Sequence, residues 1–256
     1  MPFSAVGIIP ARWGSTRFPG KPLHVIAGKP LLQHVWERSC HAKTLDQVIV
    51  ATDDMRIAEA AFVFGAEVAL TSRQHLSGTA RAAEVAAKAP SFTHVINVQG
   101  DEPLIEPALI DRLVRELKRD PALQMVTAAH PFEHKTDVAS PHQVKVVLDG
   151  RKNALYFSRS AIPFIGGSEF PHLRHQGIYG YTRDLLLRLV RWRTGPLERA
   201  ESLEQLRALE NRVTIRVLVT GSGSPGVDTP ADAEAVEQQL LSAASSARRK
   251  KRSHAQ

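Results

Sequence analysis

Cysteine is almost missing from this chain: Cys40 is the only one in 256 residues. A lone thiol forms no disulfide within the chain and supplies no thiolate cluster for a metal. Its place after Leu31, Leu32, Val35 and Trp36 puts it near the apolar face of a helix, as a small core residue. Long hydrophobic runs are also missing, and no stretch approaches the roughly 18 apolar residues of a membrane span. Residues 1–10 have no basic start and too short an apolar run for a secretory leader, so a soluble, cytoplasmic protein is expected. A basic patch is lacking in a less obvious way. The net charge is +7, but Arg248, Arg249, Lys250, Lys251 and Arg252 carry five of those charges and leave +2 for residues 1–247. A near-neutral body excludes the charged face of a specific nucleic-acid binder. The terminal run among Ala, Ser and Gln reads as a disordered basic tail over residues 246–256.

What is present suits an α/β fold. At 43% hydrophobic, the chain can bury one full core. Short strand patterns (Gln47–Ala51, Glu67–Leu70, His94–Val98, Gln124–Ala129) alternate with helical ones starting at Asp54, at Ser77 or Thr79, and at Pro107. Such alternation predicts a mostly parallel, Rossmann-like sheet covered by helices on both faces. From about Pro131 the pattern changes. Val144–Leu148 and Ala154–Ser158 flank Asp149-Gly150-Arg151 as a β-hairpin. Residues 161–174 read as loop, helical patterns return over Arg183–Arg193 and Ser202–Leu209, and Val213–Val219 and Asp232–Ala244 close the chain as strand and helix. The expected organisation is a single domain over residues 1–245 with a mixed insertion at about 131–200.

The chemistry concentrates after the first strand. Val6, Gly7, Ile8 and Ile9 stop at Pro10, and a loop follows holding Arg12, Arg17 and Lys21 beside Gly14, Ser15, Thr16 and Gly20. Ligands of open α/β sheets sit beyond the carboxyl ends of such strands. Arginine forks and a compact lysine charge suit a triphosphate there. This is not a Walker A loop, because five residues separate Gly14 from Gly20 and Pro22 follows Lys21 where a metal-binding hydroxyl would stand. Any magnesium must therefore find ligands elsewhere, and Asp101 and Asp228, both in turns after Gly, are candidates. Each alone is equally an ordinary turn or helix-cap aspartate. Ser77, Gly78 and Thr79 precede a helix, where backbone amides can receive a polar ligand edge or merely be capped. His175, Gln176, Tyr179 and Tyr181 gather around Gly177 and Gly180 and suit either a hydroxyl-rich ligand or a core. Arg159, past the hairpin, can pair with a carboxylate, whereas Glu204 and Gln205 lie in an amphipathic helix whose polar residues ordinarily face water.

The ordered set of segments closely resembles the 3-deoxy-manno-octulosonate (Kdo) cytidylyltransferase family. The segments are Ile9–Leu23, Val48–Asp53, Ser77–Thr79, Asn97–Pro103, Val144–Leu148, Ala154–Arg159, His175–Tyr181, Leu203–Arg207 and Gly226–Pro230, spanning about residues 4–240. The resemblance implies cytidylyl transfer from CTP to the anomeric hydroxyl of Kdo with magnesium, in a homodimer formed through the insertion. By the same resemblance Arg12 and Lys21 bind the triphosphate, with Ser15 in the same loop, and Asp101 and Asp228 hold magnesium. Gln99, Arg159, His175, Tyr179, Glu204 and Gln205 match the sugar-acid site, and Ser77, Gly78 and Thr79 match the loop near cytosine. Two positions depart from the family pattern: Ala80 stands where an acidic residue is usual, and Ser72 separates Thr71 from Arg73. The alternatives are a cytidylyltransferase for another 2-keto sugar acid (8-amino-Kdo or sialic-acid-like), a non-catalytic nucleotide sensor, and RNA binding by the tail.

Overall fold

The computed structural model describes residues 2–14, 18–167 and 170–253, with side chains as far as residue 243. The chain begins with β1 (Ala5–Ala11), a 3-10 turn (Lys21–Leu23) and the short hairpin β2 (Val25–Ile26) and β3 (Lys29–Pro30). Then come α1 (Leu31–Cys40), β4 (Gln47–Thr52), α2 (Met55–Val63), β5 (Glu67–Leu70), α3 (Gly78–Lys88) and β6 (His94–Asn97). The next elements are α4 (Pro107–Arg119), β7 (Met125–Pro131), a 3-10 turn (Lys135–Ala139), β8 (Lys145–Leu148) and β9 (Ala154–Ser158). The chain closes with β10 (Leu173–Thr182), α5 (Arg183–Leu189), α6 (Pro196–Glu201), α7 (Gln205–Glu210), β11 (Ile215–Val219) and α8 (Pro230–Ser253).

The main sheet has the order β11-β7-β10-β6-β1-β4-β5, with β8 pairing β10 and β9 pairing β8. Contacts of β1 with β4 and β6, β4 with β5, and β7 with β11 are parallel; β10 runs antiparallel to both its neighbours in the main row. Alternation along β1 sends Ala5 and Ile9 to one face and Val6 and Ile8 to the other, as the strand period requires. On the first face Leu31, Leu32 and Val35 of α1, Ile57 of α2, Leu109 and Leu113 of α4 and Val236 of α8 complete a core. On the second, Ala82 and Val85 of α3, Leu185 and Leu189 of α5 and Leu206 of α7 do so.

Local chemistry sets the helix starts. The Asp54 carboxylate accepts from Arg56 N and caps α2, the Ser77 hydroxyl accepts from Ala80 N and caps α3, and Pro107 opens α4. Cys40 is exposed, contrary to its expected place in the core. The helix repeat that buries Leu31, Leu32 and Val35 brings Ser39 inward instead, its hydroxyl bonded to Val35 O at 2.8 Å. The region expected as an insertion contributes β10, which lies in the middle of the sheet between β6 and β7. Helix α8 runs on through residues 246–253, expected as a tail; Ala, Arg and Lys there are good helix formers.

Candidate active site

The carboxyl ends of β1 and β6 open into one cleft because the loop after β6 crosses tightly over the end of β1. A Cβ on Gly100 would come within 2.8 Å of Pro10 O, so only glycine lets these two backbones approach. Arg12, Lys21, Ser77, Gly78, Gln99, Asp101 and Asp228 all line this cleft. Lys21 is at its centre. Its Nζ donates to Asp101 Oδ2 at 2.7 Å, to Val227 O at 2.8 Å and to Asp228 Oδ1 at 3.3 Å. The far end of the chain is stitched to the same spot by Val227 N, which donates to Asp101 O at 2.8 Å. Asp228 N and Thr229 N both donate to Asp232 Oδ2 in the first turn of α8, which fixes that loop. Two carboxylates more than 100 residues apart in sequence thus converge on one cationic atom. Ser15 lies outside the described residues.

A second wall joins the cleft through Ser77, whose hydroxyl donates to Glu204 Oε1 at 2.9 Å. Glu204 is next to Tyr179 and Tyr181, and together with burial it holds both phenols well above their ordinary pKa, burial acting most strongly. Thr79, nearly buried, bonds to Tyr181. His175 packs edge-on against Phe157 and beside Tyr179, with Nε2 at 3.0 Å from Thr127 Oγ1. Burial pushes its pKa down to about 3, so the ring is neutral. Gln205 is buried, facing inward rather than toward water, while its neighbour Glu204 is partly exposed and turned to Ser77. Arg159 stands apart. Its guanidinium donates to the carbonyls of Glu201 (2.8 Å), Pro141 (2.9 Å) and Ser202 (3.4 Å), and it does not line the Lys21 cleft.

Two further buried groups were missed by sequence reading, one lining the cleft and one behind it. Arg81, only 3% exposed, lines the cleft, pairs with Asp53 at 3.1 Å, and donates to Thr71 Oγ1. A single arginine in an alanine-rich helix carries no local signal; its burial beside a strand-end aspartate comes only from the fold. Glu102, read as a turn residue, is 7% exposed and accepts from Gln176 Nε2 at 2.9 Å. Burial pushes its pKa up to about 7. Across the cleft rim Glu84 accepts from Lys88, Ser72 N and His75, which draw its pKa down to about 2 and order the loop before α3.

Comparison with known proteins identifies the family. The cytidylyltransferase family model matches residues 6–215. The 3-deoxy-manno-octulosonate cytidylyltransferase of Solibacter usitatus is 50% identical over 93% of this chain and 95% of its own. That of Geobacter metallireducens is 48% identical over 91% and 96%. A solved CMP:2-keto-3-deoxy-manno-octonic acid synthetase complexed with CTP superposes with a TM-score of 0.90 at 43% identity, covering 93% of this chain and 99% of that one. A cytidylyltransferase from Leptospira borgpetersenii, at 20% identity and a TM-score of 0.63, shares the fold. This chain therefore belongs to the 3-deoxy-manno-octulosonate cytidylyltransferase family.

Proposed function

We propose that this protein transfers a cytidylyl group from CTP to Kdo, releasing pyrophosphate and giving CMP-Kdo for lipopolysaccharide biosynthesis. The observation that carries the reading is the convergence of Lys21, Asp101 and Asp228 in a cleft also lined by Arg12, Gln99 and the Ser77–Gly78 turn. The anomeric hydroxyl attacks the α-phosphorus in line, its new O–P bond replacing the bond to the pyrophosphate oxygen, and its proton leaves to solvent. Arg12 and Lys21 offset triphosphate charge, and Ser15 belongs to the same loop. Positioned cations of this kind supply most of the acceleration in phosphoryl chemistry. Ser77, Gly78 and Thr79 border the cytosine. Gln99, His175, Tyr179, Glu204 and Gln205 line the sugar acid, whereas Arg159, which the resemblance matches to that site, has its guanidinium bound to three backbone carbonyls away from the Lys21 cleft. His175 is neutral and Tyr179 protonated across the physiological range, so both present hydrogen-bonding groups without net charge.

Magnesium fits this donor set. Among the described residues no three His, Cys, Asp or Glu side chains form a metal group, but two carboxylates share one cation, the Lys21 ammonium. A pair of carboxylates completed by phosphate oxygens and water is what magnesium accepts. Asp101 and Asp228 would hold it, and it would neutralise charge on the reacting phosphates. The chain is further proposed to work in the cytoplasm as a homodimer. No described helix is long and apolar enough to cross a membrane. Phe164 (93% exposed) and Phe170 (55%) stand beside an apolar groove that includes Phe132, Val138 and Ile165, a surface suited to a second copy.

Pyrophosphate release, assayed with each nucleoside triphosphate and a panel of keto-sugar acids, tests the reaction. Release is expected with CTP and Kdo together and with magnesium present. Equal turnover with another triphosphate, or preference for an 8-amino or sialic-type acid, would overturn the assignment. Light scattering is expected to give twice the 28.1 kDa chain mass.

A further inference from the structure

Trp13 and Arg56 have no part in the chemistry above, yet they form a continuous strut beside it. Trp13 follows Arg12 directly, and its carbonyl accepts from Gly20 N at 3.3 Å, next to Lys21. Gly20 has φ of +70°, and a Cβ there would lie 3.1 and 3.2 Å from indole atoms Cη2 and Cζ2. The indole therefore rests on the Gly20 backbone and ties the two ends of the loop together. Over the ring, at 3.4 Å from a ring centroid, lies the guanidinium carbon of Arg56. Arg56 is itself held as a fork by Asp54, with Nε to Oδ1 at 2.9 Å and Nη2 to Oδ2 at 2.6 Å. Asp54 is the N-cap of α2, so the strut is founded on a helix packed against the sheet.

We propose that Arg56 is a positioning residue for the nucleotide: by clamping Trp13 onto Gly20 it sets the separation of Arg12 and Lys21 before CTP arrives. The inference rests on reading the cleft as the CTP site. A planar guanidinium on an indole is the strongest common cation–π pair, and its own orientation is already fixed by Asp54. Pre-set cations spare the ligand the ordering of the loop, which appears in affinity for the nucleotide rather than in the chemical step. A surface stack serving only the stability of α2 would leave substrate constants untouched.

The test is steady-state kinetics with CTP and Kdo varied separately, on wild type, Arg56→Ala, Trp13→Leu, the double variant and Trp13→Phe. Arg56→Ala and Trp13→Leu are expected to raise KM for CTP about three- to fivefold, the range of a cation–π pair whose arginine is 56% exposed, with kcat and KM for Kdo within about 1.5-fold of wild type. The double variant is expected to be no worse than the more damaged single one, since both break one strut. Trp13→Phe retains an aromatic face and is expected to recover most of the affinity. Unchanged CTP KM, equal effects on both substrates, or additive losses in the double variant would overturn the proposal while wild-type turnover leaves the CTP site standing. A wild-type protein that fails to turn over CTP would overturn both.

Discussion

Replacing Lys145 by methionine is expected to cost about 3 kcal/mol of stability. Lys145 is fully buried, and its three ammonium protons are directed at three backbone carbonyls, Ser140 O and Gln143 O at 2.9 Å each and Arg159 O. Those carbonyls belong to the loop before β8 and the residue after β9, so one side chain joins segments that otherwise share the hairpin ladder and the Arg159–Pro141 O bond. Charge-assisted bonds of this type contribute about 1.5–3 kcal/mol each. Three of them would give more than 4 kcal/mol, but burial of the ammonium opposes them and pushes its pKa down. Methionine restores the volume without that burial cost and leaves three acceptors short of a donor. A net loss near 3 kcal/mol corresponds to a fall in Tm of about 6–12 °C for a chain of this size. Calorimetry, with urea denaturation at constant slope, measures it. A fall smaller than about 2 °C would refute the reasoning, since it would mean the carbonyls are satisfied without the lysine.

Stability is expected to fall on acidification in a way traceable to His175. Its folded pKa of about 3 is below the ordinary value of 6.5, so between those values the unfolded chain binds a proton that the folded chain refuses. Stability should thus drop as pH decreases from 6.5, by up to about 1.4 kcal/mol per pH unit from this group, and identical pH slopes for wild type and His175→Phe in urea titrations would exclude the effect. Gly180→Ala is expected to destabilise by about 1–3 kcal/mol, because the new Cβ would lie 2.8–2.9 Å from methyls of Val126, Ile96 and Leu117; denaturant midpoints check it. Asp101→Asn should lower kcat by about 10²-fold or more and change the magnesium titration, whereas an unaltered magnesium dependence would remove Asp101 as a ligand. Lys21→Ala is expected to lose turnover to a similar extent, about 10²-fold, with an unchanged far-ultraviolet spectrum, and near-normal turnover would contradict its triphosphate role.

Elements governed by local rules were legible in the sequence. Asp54 and Ser77 announce their helices through short-range capping, and the hairpin between Leu148 and Ala154 is marked by its Asp-Gly turn. Strand β10 was not legible. Gly177 and Gly180 interrupt it, a register shift falls between Gln176 and Tyr179, and its partners in the main row are more than 40 residues away, so no local period survives. Cys40 misled because apolar spacing leaves one residue of freedom, and Ser39 took the inward place by bonding its hydroxyl within the helix. Within the cleft, the basic loop pointed to phosphate directly, but pairing Asp101 with Asp228 needed either the fold or the family resemblance. Glu204 and Gln205 looked like solvent-facing residues, and the resemblance alone marked them out. Arg81 and Glu102 depend on burial that no window of sequence expresses.

The antiparallel β10 at the middle of an otherwise parallel row also dictates an order of events during synthesis. Strands β1, β4, β5 and β6 are complete once about the first hundred residues have emerged, and they can pair among themselves. Their β6 edge then has no partner until residues 173–182 arrive, and β7 with β11 can join the sheet only through that same strand. An open strand edge during this interval is an aggregation hazard, and pairing over so long a separation is slow relative to local contacts. Asp228 follows later still, so the nascent chain holds Lys21 and Asp101 well before their third member arrives. The cleft is complete only once Asp228 has emerged beside Lys21 and Asp101.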